Sequence, residues 1–274
     1  MDPFHEGGNV GDVDLRAAGS AIMNAMKAAN PEAVWVVQAW GACPYPNMIK
    51  HLKNGDMLVL DLYSENRPQW GDPESTWYRK EGFNGHNWAY CMLLNFGGNV
   101  GMFGKVQHVI DEYYKARQSP FASTMKGVGL TMEGIENNPI MYELVMELPW
   151  RETKFDWKEW LNGYVEARYG NTANTKVRET WMLLAKSVYG AGPKVTEQGC
   201  HESVLCARPA LDVYQVSTWS EMEEFYNPDD VINAARLMVE ASHEVKANAN
   251  FCYDLVDITR QAIAEQARYV YNEV

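Results

Sequence analysis

No run of apolar residues in the 274-residue chain approaches the ~20 needed to cross a bilayer, and the N-terminus shows no basic-then-apolar leader. Positive charge is scarce: 24 Lys+Arg stand against 36 Asp+Glu, a net charge of −12. A chain of that sign lacks the basic face that neutralises phosphates, so nucleic acid is not its partner, and an anionic membrane surface would repel it. Cysteine is sparse. Cys43, Cys91, Cys200, Cys206 and Cys252 form no CxxC pair, and the six His form no HExxH or Cys/His cluster. No metal site is expected, because tetrahedral sites show paired ligands at short spacing. Cys200 and Cys206 could close a small disulfide loop in an exported protein, but two buried free thiols are the expectation. Internal repeats and low-complexity tracts are missing, as are a GxSxG elbow and a GxGxxG or GK[ST] phosphate loop. The Gly-rich stretch Asn95 to Gly104 follows a strand but matches none of these patterns.

What the chain does have is aromatic bulk: 10 Trp, 15 Tyr and 8 Phe within a 46% hydrophobic composition. That suffices for one large or two modest cores, and so many Trp also suit a protein that stacks flat ligands. The first 150 residues alternate between two periods. An Asp-started stretch, 12–29, carries Leu15, Ala18, Ile22, Ala25 and Met26 on one helical side, and Pro31 breaks it. Residues 33–40, 57–63, 88–95 and 126–132 are short apolar runs of the kind buried on both faces of a sheet. Helical segments over 47–53 and 106–116 lie between them, which implies parallel pairing through right-handed crossovers. Gln38 and Trp40, Tyr63 and Glu65, Asn95, and Glu133 gather at or just after the strand ends. A (β/α) barrel builds its active site there. A doubly wound open sheet would place them similarly, so both architectures stay open at this point.

After Trp150 the strand pattern stops. Helical periodicity covers 157–169, 174–189, 229–247 and 248–274, with an irregular stretch at 194–218. The expected organisation is an α/β domain over 1–150 and a mainly α-helical domain over 151–274.

Two carboxylates have unusual settings. Glu6 stands in Asp2-Pro3-Phe4-His5-Glu6-Gly7-Gly8, and Glu133 follows the fourth strand in Thr131-Met132-Glu133-Gly134. Neighbouring glycine lets backbone bend and a ligand approach. Two carboxyls converging on one cleft suit glycoside hydrolysis, in which one donates a proton to the leaving oxygen and the other attacks or activates water. Either alone also fits an ordinary turn residue. Gln38 and Trp40 point the same way under period-2 alternation, a pairing suited to one wall of a sugar pocket. Trp35, Trp88, Trp157, Trp160 and Trp181 are expected in cores. Asp254, Asp257 and Arg260 share one helical side and are expected to form a salt-bridged face or domain contact.

These blocks resemble a known family. DPFHEGG with Glu6, VWVVQAW at 34–40, VLDLYSENRP at 59–68, CMLLNFGGNVGMFG at 91–104, GVGLTMEGIENN at 127–138 and YDLVDITRQ at 253–261 are similar, in order, to glycoside hydrolase family 89, in its bacterial form. The resemblance implies the C-terminal half of a (β/α)8 TIM-like barrel followed by a mainly α-helical domain. It implies a retaining exo-glycosidase releasing terminal α-linked N-acetylglucosamine from a glycan, without a cofactor. Glu6 matches the family's acid/base and Glu133 its nucleophile, with carboxyls about 5–5.5 Å apart in a retaining site. Proton donation by Glu6 requires a raised pKa, through desolvation and the charge of Glu133. His5, Gln38, Trp40, Tyr63, Glu65 and Asn95 fall in matching blocks and are assigned to substrate binding. The family's members are longer, which implies an upstream half-barrel and, by resemblance, an export leader preceding Met1. A half-barrel alone leaves strand edges unpaired and should fold poorly or associate. Two other readings remain: a catalytically inactive glycan-binding or purely structural remnant, and an α/β hydrolase or transferase acting on a nucleotide sugar.

Overall fold

The computed structural model describes residues 10–97, 99, 101–134, 138–170, 174–193, 203–216, 224–245 and 249–273. Among these, four strands form one parallel sheet: β1 (Trp35–Ala39), β2 (Met57–Asp61), β3 (Asn87–Met92) and β4 (Met125–Leu130). Their spatial order is β1-β2-β3-β4. Each strand pairs with its successor, Gln38 opposite Leu60, Asp61 opposite Tyr90, and Cys91 opposite Gly129. A doubly wound sheet reverses its strand order at a switch point. The unbroken sequential order here is that of a barrel wall, which removes the open-sheet alternative.

The helices of this region are α1 (Leu15–Ala29), α2 (Pro46–Ile49), α3 (Val106–Gln118) and α4 (Pro139–Glu147). Asp14, not Asp12, starts α1: its carboxylate accepts from the amides of Arg16 and Ala17 at 3.0 and 3.1 Å. The crossover from β2 to β3, residues 62–86, holds no helix. α4 is absent from the sequence expectation, although Asn138-Pro139 is a start signal, with Pro at the first helical position. Val37, Ala39, Met57, Val59, Trp88 and Tyr90 are buried on one face of the sheet.

The expectation of burial on both faces fails at β1, where Val34 is 46% and Val36 54% exposed. Among the described residues β1 pairs with β2 alone, at the edge of the sheet. The central β3 does meet the expectation, being buried from Trp88 through Met92.

Beyond Glu152 the structure is helical: α5 (Trp157–Tyr169), α6 (Thr175–Lys186), α7 (Pro228–Ala241) and α8 (Ala249–Asn272). Three of these carry caps legible in sequence, Asp156 before α5, Asn174 before α6 and Asn227 before Pro228 of α7. α6 and α7 both end earlier than their apolar periodicity. Trp160 and Trp181 are core residues as expected, whereas Trp157 is only half-buried. No helix among the described residues is long and apolar enough to cross a membrane.

The chain divides into two compact units that interleave in sequence. The first takes residues up to 93 with 109–132 and 145–152; the second takes 94–108, 133–144 and 153 onward. The segments that follow β3 and β4 therefore belong to the helical unit. In that unit the Gly104 amide donates to the Val188 carbonyl at 2.8 Å, Val106 to Tyr189 at 3.0 Å, and Met102 to the Gln261 side chain at 3.1 Å.

Within the second unit Asp254 of α8 is buried and accepts both Nε and Nη2 of Arg168 in α5, at 2.5 and 2.8 Å. The Tyr169 hydroxyl donates to the same carboxylate at 2.6 Å and accepts from Trp181 Nε1 at 2.7 Å. The contact role expected for Asp254 is thus met by another helix. Asp257 and Arg260 pair along α8 at 2.7 Å. Cys43 and Cys91 are buried free thiols, but Cys206 is an exposed one, correcting the expectation of its burial. It ends the one-turn 3₁₀ segment Val204–Cys206, none of whose residues is buried. Cys200 lies outside the described residues.

Candidate active site

Glu6 and His5 lie outside the described residues. The remaining candidates divide between the two units. In the second unit, Glu133 stands three residues beyond β4 with its side chain exposed. Its Oε2 accepts the Gly97 amide at 2.7 Å, so one carboxylate oxygen is fixed by the backbone of the Gly-rich stretch. A Cβ on Gly97 would sit 3.2 Å from that oxygen, and the bare glycine leaves room for the approach. The Gly97 amide, which a phosphate cradle would need for its ligand, is therefore engaged by Glu133. Asn95 is fully buried and turned into its own loop, where Nδ2 donates to the Asn99 carbonyl at 2.7 Å.

In the first unit, Gln38 is exposed and Trp40 half-exposed at the end of β1. Trp40 joins an aromatic cluster with Tyr63, stacked at 6.0 Å, and Trp77, edge-on at 4.8 Å. Aromatic pairs at these separations and tilts are favourable beyond the area they bury. Tyr63 is 2% exposed, and its hydroxyl accepts from Asn66 Nδ2 at 2.6 Å. The Arg67 guanidinium lies over the Trp77 ring, 5.2 Å from its centre. Glu65 is buried, and both its oxygens accept from the Leu93 amide, at 3.1 and 3.3 Å. Gln38 and Trp40 are thus surface-facing, while Tyr63 and Glu65 shape the loop behind them.

Three residues that the sequence did not single out organise this unit: Asp61, Trp77 and Arg79. Asp61 closes β2, is fully buried, and accepts from the amides of Gln69 and Trp70 at 2.8 and 3.1 Å. Burial pushes its carboxyl up to about 7; the Gln69 amide and the Arg79 charge work in the opposite direction. An ionisable residue ending the apolar run Met57-Leu58-Val59-Leu60 was a legible signal for Asp61; Arg79 carried none. Arg79 donates Nε to Gln69 Oε1 at 2.6 Å, and Nη1 and Nη2 to the carbonyls of Pro44 and Cys43, each at 2.7 Å. The Cys43–Pro44 peptide bond is cis.

The model of the alpha-N-acetylglucosaminidase tim-barrel domain matches residues 1–152, and that of the alpha-N-acetylglucosaminidase C-terminal domain matches 160–274. The alpha-N-acetylglucosaminidase of Homo sapiens is 35% identical over 269 residues, covering 94% of this chain and 34% of that protein. A family 89 glycoside hydrolase from Clostridium perfringens in complex with PUGNAc superposes with a TM-score of 0.84 at 32% identity, over 98% of this chain and 29% of that one. A form of the Clostridium perfringens enzyme with two Glu-to-Gln substitutions, in complex with its substrate GlcNAc-alpha-1,4-galactose, superposes with a TM-score of 0.85 at 32% identity, over the same shares. The chain thus spans about a third of the length of the relatives it matches.

Proposed function

The chain belongs to the alpha-N-acetylglucosaminidase family, and from that premise we propose that the protein is a retaining exo-glycosidase acting on glycans that end in α-linked N-acetylglucosamine. The observation that carries this reading is Glu133. It is an exposed carboxylate just beyond a barrel strand, with one oxygen held by the Gly97 amide and the rest of the group presented outward. An amide donor fixes the rotamer of a nucleophile without neutralising its charge.

In this reading Glu133 attacks the anomeric carbon while Glu6, in the DPFHEGG block, protonates the departing glycosidic oxygen. Water then attacks the glycosyl-enzyme ester, and Glu6, now a base, removes its proton. Trp40 offers a ring face to the apolar side of the terminal sugar, and Gln38 an amide to its hydroxyls. Tyr63, Glu65 and Asn95, all buried, support the loops that carry such contacts, and His5, in the same block as Glu6, is assigned to sugar binding. The complex of a relative with GlcNAc-alpha-1,4-galactose supports the substrate class. We place the boundary between the barrel and helical domains near residue 150, which the two family models, ending at 152 and starting at 160, support.

The test is hydrolysis of an aryl α-N-acetylglucosaminide by the full-length protein. Glu133→Ala and Glu133→Gln should each lower kcat by at least about a thousandfold. Glu6→Gln should lower it about a hundred- to ten-thousandfold, the range of general acid–base catalysis, and least for substrates with good leaving groups. Turnover that survives Glu133→Ala would overturn the assignment. Binding of N-acetylglucosamine without turnover by the unsubstituted protein would instead establish the inactive remnant.

A further inference from the structure

We propose that Arg79 is a positioning residue that sets the Trp40 ring, by tying together the three loop segments that carry Trp40, Tyr63 and Trp77. The proposal rests on the reading that Trp40 meets the sugar, but its structural part stands on contacts alone.

The guanidinium sits where those segments meet. Its Nη1 and Nη2 hold the consecutive carbonyls of Pro44 and Cys43. Cys43 in turn pairs with Trp40 through both backbone groups: the Cys43 amide donates to the Trp40 carbonyl at 3.0 Å, and the Trp40 amide to the Cys43 carbonyl at 3.1 Å. Arg79 is thus one residue removed from the backbone of Trp40. Its Nε donates to the Gln69 side chain, and the backbone amide of Gln69 in turn donates to Asp61 at the foot of the loop bearing Tyr63. Trp77, whose ring meets Trp40 edge-on, lies two residues before Arg79 in the same segment.

A planar fork suits this task. Arg presents donors in a fixed plane that can satisfy two adjacent carbonyls and a third acceptor together, whereas a Lys ammonium on a flexible stem cannot hold that geometry. Burial works against the guanidinium's charge, and the Asp61 carboxyl beside it, where ionised, works to keep it. Since β2–β3 has no crossover helix of its own, residues 62–86 are held by polar ties of this kind together with those that Lys115 of α3 donates to Asp72 and Glu74, at 2.8 and 2.6 Å.

The experiment uses the full-length protein and Arg79→Lys, Trp40→Ala and the double variant. Measured are kcat and KM on an aryl α-N-acetylglucosaminide and the ultraviolet circular dichroism couplet of the Trp40–Trp77 pair, defined by its loss in Trp77→Phe. Arg79→Lys should raise KM about tenfold, the size of one lost charged hydrogen bond, change kcat by less than about threefold, and weaken the couplet. In the Trp40→Ala background Arg79→Lys should change KM no further, because it acts through that ring. Additive effects on KM, or an unchanged couplet, would overturn the proposal. If Trp40→Ala leaves KM unchanged while Arg79→Lys still weakens the couplet, the positioning role stands and the sugar-wall assignment of Trp40 fails. Should Arg79→Lys fail to fold, Gln69→Ala, which removes the Nε acceptor and leaves the bonds to the Pro44 and Cys43 carbonyls in place, carries the same measurements and the same outcomes.

Discussion

Asp61 is the residue whose chemistry departs furthest from its surroundings: a carboxyl at the end of an apolar strand, with no exposure at all. The fold holds it up to about 7, and burial of Glu112 on α3 likewise pushes that group to about 7. Both values exceed those of the unfolded chain, so folding favours the protonated forms. The stability they confer is complete below the unfolded values and is lost as pH rises through about 7. Urea denaturation should therefore show declining stability from pH 5 to pH 8. Asp61→Asn, which keeps an acceptor for the Gln69 and Trp70 amides, should flatten that decline. A stability that rises over this range, or an equal slope in the variant, would contradict the assignment. The sequence placed Asp61 inside the expected strand 57–63, whereas the strand ends there, and it gave no hint of Arg79. The partners of Arg79, Cys43 and Pro44, lie more than thirty residues away, and no periodicity links them.

At the scale of elements, close approach and buried polarity decide packing. Gly19 is buried on α1, and a Cβ there would lie 2.2 Å from the Met48 carbonyl oxygen of α2. Gly19→Ala should lower the melting temperature despite alanine's ~1 kcal/mol helical advantage, because displacing a backbone carbonyl costs roughly 1–3 kcal/mol in a packed site. In the helical unit, Asp254→Ala leaves the Arg168 guanidinium buried beside the Tyr169 hydroxyl without its main counter-charge. It should cost about 3–5 kcal/mol, measured by thermal or urea unfolding. Arg168→Met combined with Asp254→Leu should recover much of that loss, whereas no recovery would show that the pair stabilises in its own right. The element positions themselves were legible: all four strands fall within their expected runs to within about two residues. α4 lies outside the sequence expectation although Asn138 precedes Pro139. Asn138 spends its side chain on the loop after β3, accepting from the Phe103 amide at 2.9 Å, rather than on capping the helix it precedes.

For the whole molecule, the consequential feature is that the two compact units interleave. The segment 94–108, which follows β3, finds its partners in Val188, Tyr189 and Gln261. A piece ending at residue 152, where the first family model ends, would strip those backbone groups of their acceptors. Expressed alone, residues 1–152 should show weak near-ultraviolet circular dichroism and fast amide exchange over 94–108, whereas the whole chain protects them. Equal protection in both would refute this.

By itself the sequence determined the parallel α/β pattern, the shift to helices after residue 150, and the family, through blocks whose order and spacing are specific. It also singled out Glu133, because an ionisable residue between a strand end and a glycine is conspicuous in one dimension. Tertiary structure alone decided the sequential strand order, the open face of β1, the anchoring of Glu133 on Gly97, and the tie between Arg79 and the Trp40 turn. Local pattern records how one segment meets water or core. Pairing between segments distant in the chain depends on where their backbones come to lie, and no single segment records that.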